Sequence, residues 1–234
     1  VAACARAVSM CAPIAKHPLA GQPDSVAISP DGKYAAIVIE NERDEEVTVN
    51  GVEGGMPQSP GGWLQIATLH GAPTQWSLRS VDLTGLAAYA PEDPEPEYVS
   101  INELNVAVVT LQENNHIALV HLPTAKIVKH FPAGEVDLKN VDTDNEGLLN
   151  PIYSLDDLAR EPDAVTWLNP ALFPTANEGD LFGGSRGLSI FAAATGKVWF
   201  DSGTDLENIA LAYGHYPDDR GDNKGVEPEG IVFA

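Results

Sequence analysis

The chain repeats one short stretch, Pro23-Asp24-Ser25-Val26-Ala27-Ile28, with variations, at three later positions. The later copies are Pro96-Glu97-Tyr98-Val99-Ser100-Ile101, Pro162-Asp163-Ala164-Val165-Thr166-Trp167 and Pro228-Glu229-Gly230-Ile231-Val232. Their acidic residues stand at positions 24, 97, 163 and 229, so the copies are 73, 66 and 66 residues apart. Self-similarity at a regular spacing indicates a repeat architecture such as a propeller.

Four strand-like runs occur in each of the first three repeats. They are rich in Val, Ile and aromatic residues and are bounded by Gly, Pro, Asn and Asp, a pattern typical of strands joined by turns. The runs cover residues 25–29, 34–39, 63–69 and 76–83, then 98–101, 106–111, 116–122 and 127–131, then 164–168, 172–176, 187–191 and 197–200. Four strands per repeat form one blade of a β-propeller.

We therefore predict an all-β chain that forms a β-propeller with four-stranded blades. Residues 1–20 make an N-terminal segment and residues 21–234 the propeller portion, with blades at roughly 24–96, 97–162 and 163–228 and a next blade starting at 229. About three blades plus the first strand of a fourth do not close a ring. We expect either a further chain segment or a protein partner to complete it. The long connections share one face, and loops on a rigid scaffold usually carry function.

The charge balance narrows the classes of partner. The chain has 13 Lys and Arg against 34 Asp and Glu, a net charge of −21. Such a charge excludes nucleic acid as an expected partner and favours cations such as calcium. No run of about 18 apolar residues occurs, so we predict no membrane span. The two cysteines, Cys4 and Cys11, exclude a four-cysteine zinc site but leave a disulfide, another pairing or free thiols open.

Acidic residues recur at two positions of each repeat and predict a metal site. The set is Asp24, Glu97, Asp163 and Glu229 before the inner strands, and Glu42, Glu113, Glu178 and Asp180 after the second strands. In a propeller both positions lie around the mouth of the central channel, where carboxylates with the nearby carbonyls of Asn41, Asn114 and Asn177 suit calcium. Without a cation they would repel one another and their pKa values would rise. The alternative is that each carboxylate caps a loop or accepts backbone N–H bonds within its blade.

Three cations in the later loops, Arg186, Arg220 and Lys224, have two open interpretations. They can neutralise a bound phosphate, since a guanidinium suits bidentate phosphate contact. They can equally pair with neighbouring carboxylates, which is the ordinary situation for surface charges.

Two further motifs fail their structural tests. The sequence around Ser185 matches G-x-S-x-G, but a nucleophile elbow needs a strand before it and a helix after it, and the prediction places a loop and a strand there. Residues 142–147 begin like a calcium loop, yet the twelfth position is Tyr153 rather than Glu.

His116 and His121 are five apart on one predicted strand, so their side chains point to opposite faces of the sheet and cannot bind one metal ion together.

Several of these motifs together resemble the choice-of-anchor I propeller proteins, which adjoin the family labelled esterase-like activity of phytase. They include the runs at residues 26–34, 40–45, 109–115, 160–165, 176–180, 184–187 and 223–230. The resemblance implies a secreted or surface-anchored propeller in an extracellular, cell-surface or periplasmic location. In β-propeller phytases, clustered carboxylates hold calcium ions that bind the substrate phosphate.

Two functions are therefore open. The first is a calcium-dependent phosphoester hydrolase, with Glu42, Glu113, Glu178 and Glu229 as ligands and Arg186 or Lys224 on the phosphate. The second is a non-catalytic extracellular binding or structural module in a surface assembly.

Overall fold

A computed structural model describes residues 13–233 of the chain. Cys4 and Cys11 lie outside this range. The strands are β1 (Pro23–Ile28), β2 (Tyr34–Ile39), β3 (Thr48–Val49), β4 (Val52–Glu53), β5 (Trp63–Thr68), β6 (Ser77–Asp82), β7 (Pro96–Ile101), β8 (Val106–Leu111), β9 (His116–His121), β10 (Lys126–Pro132), β11 (Glu135–Val141), β12 (Tyr153–Ala159), β13 (Leu172–Asn177), β14 (Gly187–Ala192) and β15 (Lys197–Asp201). One α-helix, α1 (Asp205–Tyr213), and two 3₁₀ turns at Pro73–Gln75 and Asp218–Arg220 complete the elements.

The predicted fold class is confirmed by the sheets. The first sheet has the order β1-β2-β5-β6 and the second β7-β8-β9-β10, and every neighbouring pair is antiparallel. Each is the four-stranded meander of a propeller blade, in which consecutive strands run from the centre outward. The bounds differ from the predicted ones by no more than two residues at each end.

The third sheet departs from the regular blade at its inner position. Three strands pair in the order β13-β14-β15, while residues 163–169 run beside β13 without a continuous ladder and form two isolated bridges with it, Val165 to Thr175 and Asn169 to Leu172. The physical cause is Pro174, which accepts a hydrogen bond from the Thr166 N–H at 3.2 Å but has no N–H to return. The strand predicted at 164–168 is therefore an interrupted one.

Three long connections contain structure that the sequence analysis did not predict. β3 pairs with β4 between residues 41 and 62, β11 pairs with β12 between 132 and 162, and α1 lies between 201 and 228. The hairpin of β11 and β12 buries Leu138 and Val141, which are 1% and 0% exposed, and irregularities in its register bring both onto the buried side although they are three residues apart. The helix ends at Gly214, whose left-handed backbone supplies the usual glycine cap. Residues 229–233 lie outside any described sheet.

The core consists of two apolar layers, each between neighbouring blades. Val38, Leu64 and Ile66 of the first blade pack against Val109 and Leu111 of the second. The layer between the second and third blades is a cluster of Phe131, Phe173 and Phe191, whose ring centroids lie 5.6 to 6.5 Å apart. Trp167 packs edge-on against Phe173 at 5.2 Å. Trp199 on β15 is 67% exposed and takes no part in this core.

No helix among residues 13–233 is long and apolar enough to cross a membrane.

Candidate functional site

The register of the blades brings two acidic positions together at one end of each sheet. Pro23 lies opposite Ile39 and Pro96 opposite Leu111, while the Asp163 N–H donates to Ala176. The start of each inner strand therefore lies beside the end of the second strand of its blade. The acidic residues that follow the prolines and those that follow the second strands share this edge, as the sequence analysis predicts.

These residues surround a cavity of about 150 Å³, here called the acidic cavity. Its lining is Glu40, Glu42, Arg43, Glu45, Glu95, Glu97, Gln112, Glu113, Glu178 and Asp180. Carboxylates supply most of this wall, and Arg43 is its single cation. Five of the predicted ligands, Glu42, Glu97, Glu113, Glu178 and Asp180, thus line one cavity.

The tightest grouping joins Asp24, Glu40 and Glu97. One carboxylate oxygen from each of the three lies within 4.8 Å of the others. Two oxygens on opposite sides of one calcium ion are separated by about 5 Å, since each stands 2.3–2.6 Å from the metal. The donor type and the spacing of these three groups therefore fit a calcium ion.

Three carboxylates of the cavity have buried oxygens without a hydrogen-bond partner. Glu95 is 1% exposed and neither of its carboxylate oxygens has a hydrogen-bond partner. Glu113 is 5% exposed, and its Oε2 has none; Oε2 of Glu97 is in the same condition. A buried polar atom without a partner costs about 1–3 kcal/mol, and more when it is charged. A bound cation would remove this cost.

The pKa values of the cavity carboxyl groups are raised, as expected for buried acids that lie close together. Burial, followed by repulsion from Glu113, raises the pKa of Glu95 to about 9. Burial and the neighbouring Glu40 raise the pKa of Glu97 to about 10. Burial is also the main cause that raises the pKa of Glu113 to about 8 and that of Glu40 to about 7. Protons take the place of a cation when none is bound.

Asp163 and Glu229 lie further along the same rim. Burial, then Glu178 and Asp24, raises the pKa of Asp163 to about 7, and Glu229 adds to the effect. Burial and Glu42 raise the pKa of Asp24. The four acidic residues that begin the repeats therefore interact with one another, but of the four only Glu97 lines the acidic cavity, and Asp24 and Glu229 are exposed.

Two cations of the protein already neutralise part of the site. Arg43 is 8% exposed and forms an ion pair with Asp180, with Glu45 at 3.9 Å. Lys224 Nζ lies 3.2 Å from Asp180 and 3.5 Å from Glu178. Glu178 and Asp180 thus have protein partners, whereas Glu95, Glu97 and Glu113 retain oxygens without one.

The predicted asparagine ligands form hydrogen bonds within the protein. Asn41 accepts from the Gln22 N–H at 3.1 Å, and Asn114 accepts from the Glu95 N–H at 2.9 Å. Asn177 accepts from Thr175 and donates to Ser185 and Ser189. Each carbonyl oxygen already accepts a hydrogen bond from within the protein, which the loops account for, and their role as calcium ligands stays a prediction.

The predicted phosphate-binding cations are divided between two places. Arg186 is 2% exposed and donates to the carbonyls of Asp142, Gly221 and Asn223, with Glu207 at 3.7 Å. Its guanidinium holds loops together, which favours pairing within the protein over phosphate contact for this residue.

Lys224 and Arg220 do lie on an open groove of about 830 Å³, together with Arg43. The groove borders the acidic cavity, since Arg43, Glu45 and Asp180 line both. Arg220 pairs with Glu227, and Lys224 lies 3.5 Å from the same carboxylate. Arg220 and Lys224 pair with carboxylates and also line a groove, so both phosphate contact and pairing within the protein stay open as their role.

The rejected motifs have structural roles. Ser185 is 2% exposed and its Oγ accepts from Asn177, so it is not a free nucleophile. Asp142, which opens the 142–147 loop, is fully buried and accepts the N–H groups of Asp144 and Asn150. His116 contacts His130 and His121 contacts Thr124, as expected for opposite faces of one strand.

Sequence analysis missed Glu40, Glu95 and Arg43, although a signal for two of them was present. The residue before each repeated proline is Gln22, Glu95, Glu161 or Glu227, so the repeat begins one residue earlier with Glu or Gln. Glu40 stands one residue after β2, as Gln112 does after β8, and both line the cavity. No sequence pattern singled out Arg43.

Glu161 shows the alternative role that the repeat can serve. It is fully buried, and its carboxylate accepts N–H groups from Asp180, Phe182 and Gly184 at 2.9 to 3.1 Å. This carboxylate fixes a loop and has no need of a cation. The same repeated position therefore serves as loop support in one blade and as an unpaired acid, Glu95, in another.

The choice-of-anchor I domain family matches residues 4–183 and 181–234. No curated protein matches the chain at the sequence level. Similar solved structures include a nidogen–laminin complex, at 8% identity over 77% of this chain and 46% of that one, with a TM-score of 0.42. The virginiamycin B lyase of Staphylococcus aureus has 12% identity over 74% and 53%, with a TM-score of 0.38. The Dos1 propeller has 14% identity over 77% and 50%, with a TM-score of 0.38. The chain spans about half the length of these structures.

Proposed function

We propose, from the premise that the chain belongs to the choice-of-anchor I domain family, that it is a surface-associated propeller whose acidic cavity binds calcium. Family membership and the propeller sheets support the surface-associated propeller. The calcium is our proposal, and one observation carries it. Glu95, Glu97 and Glu113 line one small cavity, and each has a buried carboxylate oxygen without a protein partner. Proteins rarely leave buried acceptors in that condition.

Asp24, Glu40 and Glu97 would hold the ion, with Glu113 and Glu95 completing its negative surroundings. Calcium takes six to eight hard oxygen ligands in a flexible arrangement, which suits a wall of carboxylates from three blades. Magnesium demands a near-ideal octahedron and keeps several waters, so it fits a shared, crowded cluster less well. Calcium bound here would tie the loops of neighbouring blades to one another.

Thermal unfolding of the full chain with calcium and with a chelator tests this proposal. A ligand at a hundred times its Kd, bound only to the folded state, adds about 2.7 kcal/mol. For a domain of this size that raises Tm by about 5–10 °C. Glu40→Gln should reduce the shift, whereas Glu103→Gln, an exposed acid in the turn between β7 and β8, should leave it unchanged. Equal melting temperatures with calcium and chelator would contradict the proposal.

Phosphoester hydrolysis is a second candidate, favoured by the groove of Arg43, Arg220 and Lys224 beside the cavity. These cations would orient and neutralise the phosphate, and a bound calcium would supply further positive charge to its oxygens. The test is release of phosphate from phytate and from p-nitrophenyl phosphate, with calcium and with chelator. Turnover that depends on calcium and falls in Lys224→Gln supports the hydrolase. Calcium binding without turnover leaves the non-catalytic surface module.

A further inference from the structure

A second and larger cavity lies on the other side of the 113–116 turn. It has a volume of about 670 Å³, within the range of small-molecule sites. The outer strands of the second blade, the strand β12 and two loops enclose it, and we call it the aromatic cleft. Its principal residues are Tyr89, His116, His130, Phe131, Asp156 and Phe182. Neither the family nor the acidic cavity assigns it a role.

Two aromatic rings form a corner of the cleft. Tyr89 and Phe182 come from loops far apart in sequence, yet their ring centroids lie 5.2 Å apart at an interplanar angle of 74°. Both remain open to solvent, at 38% and 47% exposure. The two rings therefore meet in an edge-to-face arrangement that leaves part of each ring open to the cleft, and a cation is attracted to the face of an aromatic ring.

The charge of the cleft is entirely negative. Its negative groups are Glu135, Asp156 and Asp157, since burial raises the pKa of Glu113 to about 8, and no Lys or Arg is among its lining residues. The three rim carboxylates have no salt bridge among the described residues. At its floor, His116 contacts His130 at 3.0 Å, and burial lowers the pKa of His116 to about 4. The His116 ring is therefore neutral at pH 7 and does not repel a cation.

We propose that the aromatic cleft binds a small organic ammonium ion with alkyl groups on its nitrogen. The aromatic corner supplies the cation–π contacts, Asp156 supplies the opposite charge, and the apolar floor at Phe131 accepts the carbon body of the ligand. A metal ion would suit the cleft less well, since an alkylated ammonium is weakly hydrated and tolerates apolar surroundings.

The test compares two probes of the same shape. Choline carries a quaternary ammonium, and 3,3-dimethylbutan-1-ol replaces the charged nitrogen by carbon. Binding to the full chain is measured by calorimetry or ligand-observed NMR in buffer with a chelator, so that the acidic cavity holds no calcium. We expect choline to bind about 5- to 30-fold more tightly than the alcohol. This result does not depend on the calcium proposal, and either proposal can fail without the other.

Variants locate the preference. Phe182→Leu should remove most of it, whereas Tyr89→Phe keeps both rings and should retain it. Asp156→Asn should weaken choline but not the alcohol. Circular dichroism and a melting curve show whether Phe182→Leu folds. If it does not, Tyr89→Leu replaces it and should likewise remove most of the preference for choline over the alcohol. Equal affinity for the two probes, no saturable binding of choline, or a preference that survives the loss of an aromatic ring would overturn the inference.

Discussion

Replacing Glu97 by Gln should make the metal-free protein more stable and abolish most of its response to calcium. Burial, followed by repulsion from Glu40 and Glu113, raises the pKa of Glu97 from the usual 4.5 to about 10. At pH 7 the folded protein therefore holds a proton there that the unfolded chain releases. Each pKa unit between 4.5 and 7 costs about 1.36 kcal/mol of unfolding free energy, or about 3 kcal/mol in all.

Because Glu97 shares its environment with Glu40, about 3 kcal/mol is an upper bound for the gain in Glu97→Gln. For a domain of this size the bound corresponds to a rise in Tm of up to about 6–12 °C in chelator. Calcium should then add less than half of the stabilisation it gives the wild type, because one of three grouped ligands has lost its charge.

The assay is calorimetric unfolding of wild type, Glu97→Gln and Glu103→Gln, each in chelator and in calcium at pH 7. The Glu103 variant removes one exposed negative charge on the opposite side of the blade and should behave as the wild type does. A metal-free Glu97→Gln protein that melts below the wild type and keeps the full calcium response would refute the reasoning. Glu97 would then be an ordinary structural carboxylate.

Three further predictions follow from the same contacts. Between pH 5 and pH 9 the metal-free protein should lose stability as pH rises. The reason is that the pKa values of Glu40, Glu95 and Glu97 in the folded protein, about 7 to 10, lie above the usual 4.5. Melting curves across that pH range should show this loss, and calcium should suppress it. Arg43→Gln removes the only cation of the cavity wall, so chemical denaturation should show a less stable metal-free protein and a larger calcium increment than in the wild type. Arg186→Ala leaves Glu207 buried without its partner, so urea unfolding should show a loss of about 3–5 kcal/mol, with the calcium increment unchanged.

The blades were predictable because their signal is local and repeated. Runs of β-branched residues bounded by turn residues mark β2, β5 and β8 within one residue of their observed ends. The sequence signal for the hairpin of β11 and β12 is weak, because the alternation of polar and apolar side chains covers residues 135–139 and is then broken by Asn140. Helix α1 carries no strong apolar stripe and is held by the buried Glu207, a tertiary contact that sequence does not show.

The acidic site was predictable in place but only partly in membership. Repetition identified Asp24, Glu97 and Glu113, because equivalent positions of propeller blades converge on one axis. It could not tell which carboxylates keep free oxygens, since that depends on partners such as Lys224, which is 44 residues from Asp180 in the chain. For the same reason the sequence did not show that Arg186 is buried, because the loops that surround it meet only in the folded protein.

The most direct test of the calcium site is an anomalous difference map from crystals of the full chain grown with calcium. We expect a peak inside the acidic cavity, about 2.3–2.6 Å from oxygens of Asp24, Glu40 and Glu97, that is lost in Glu97→Gln. A map with no peak in the cavity at saturating calcium, or with Arg43 or Lys224 occupying that position, would show that the protein satisfies these carboxylates by itself and that the site binds no calcium.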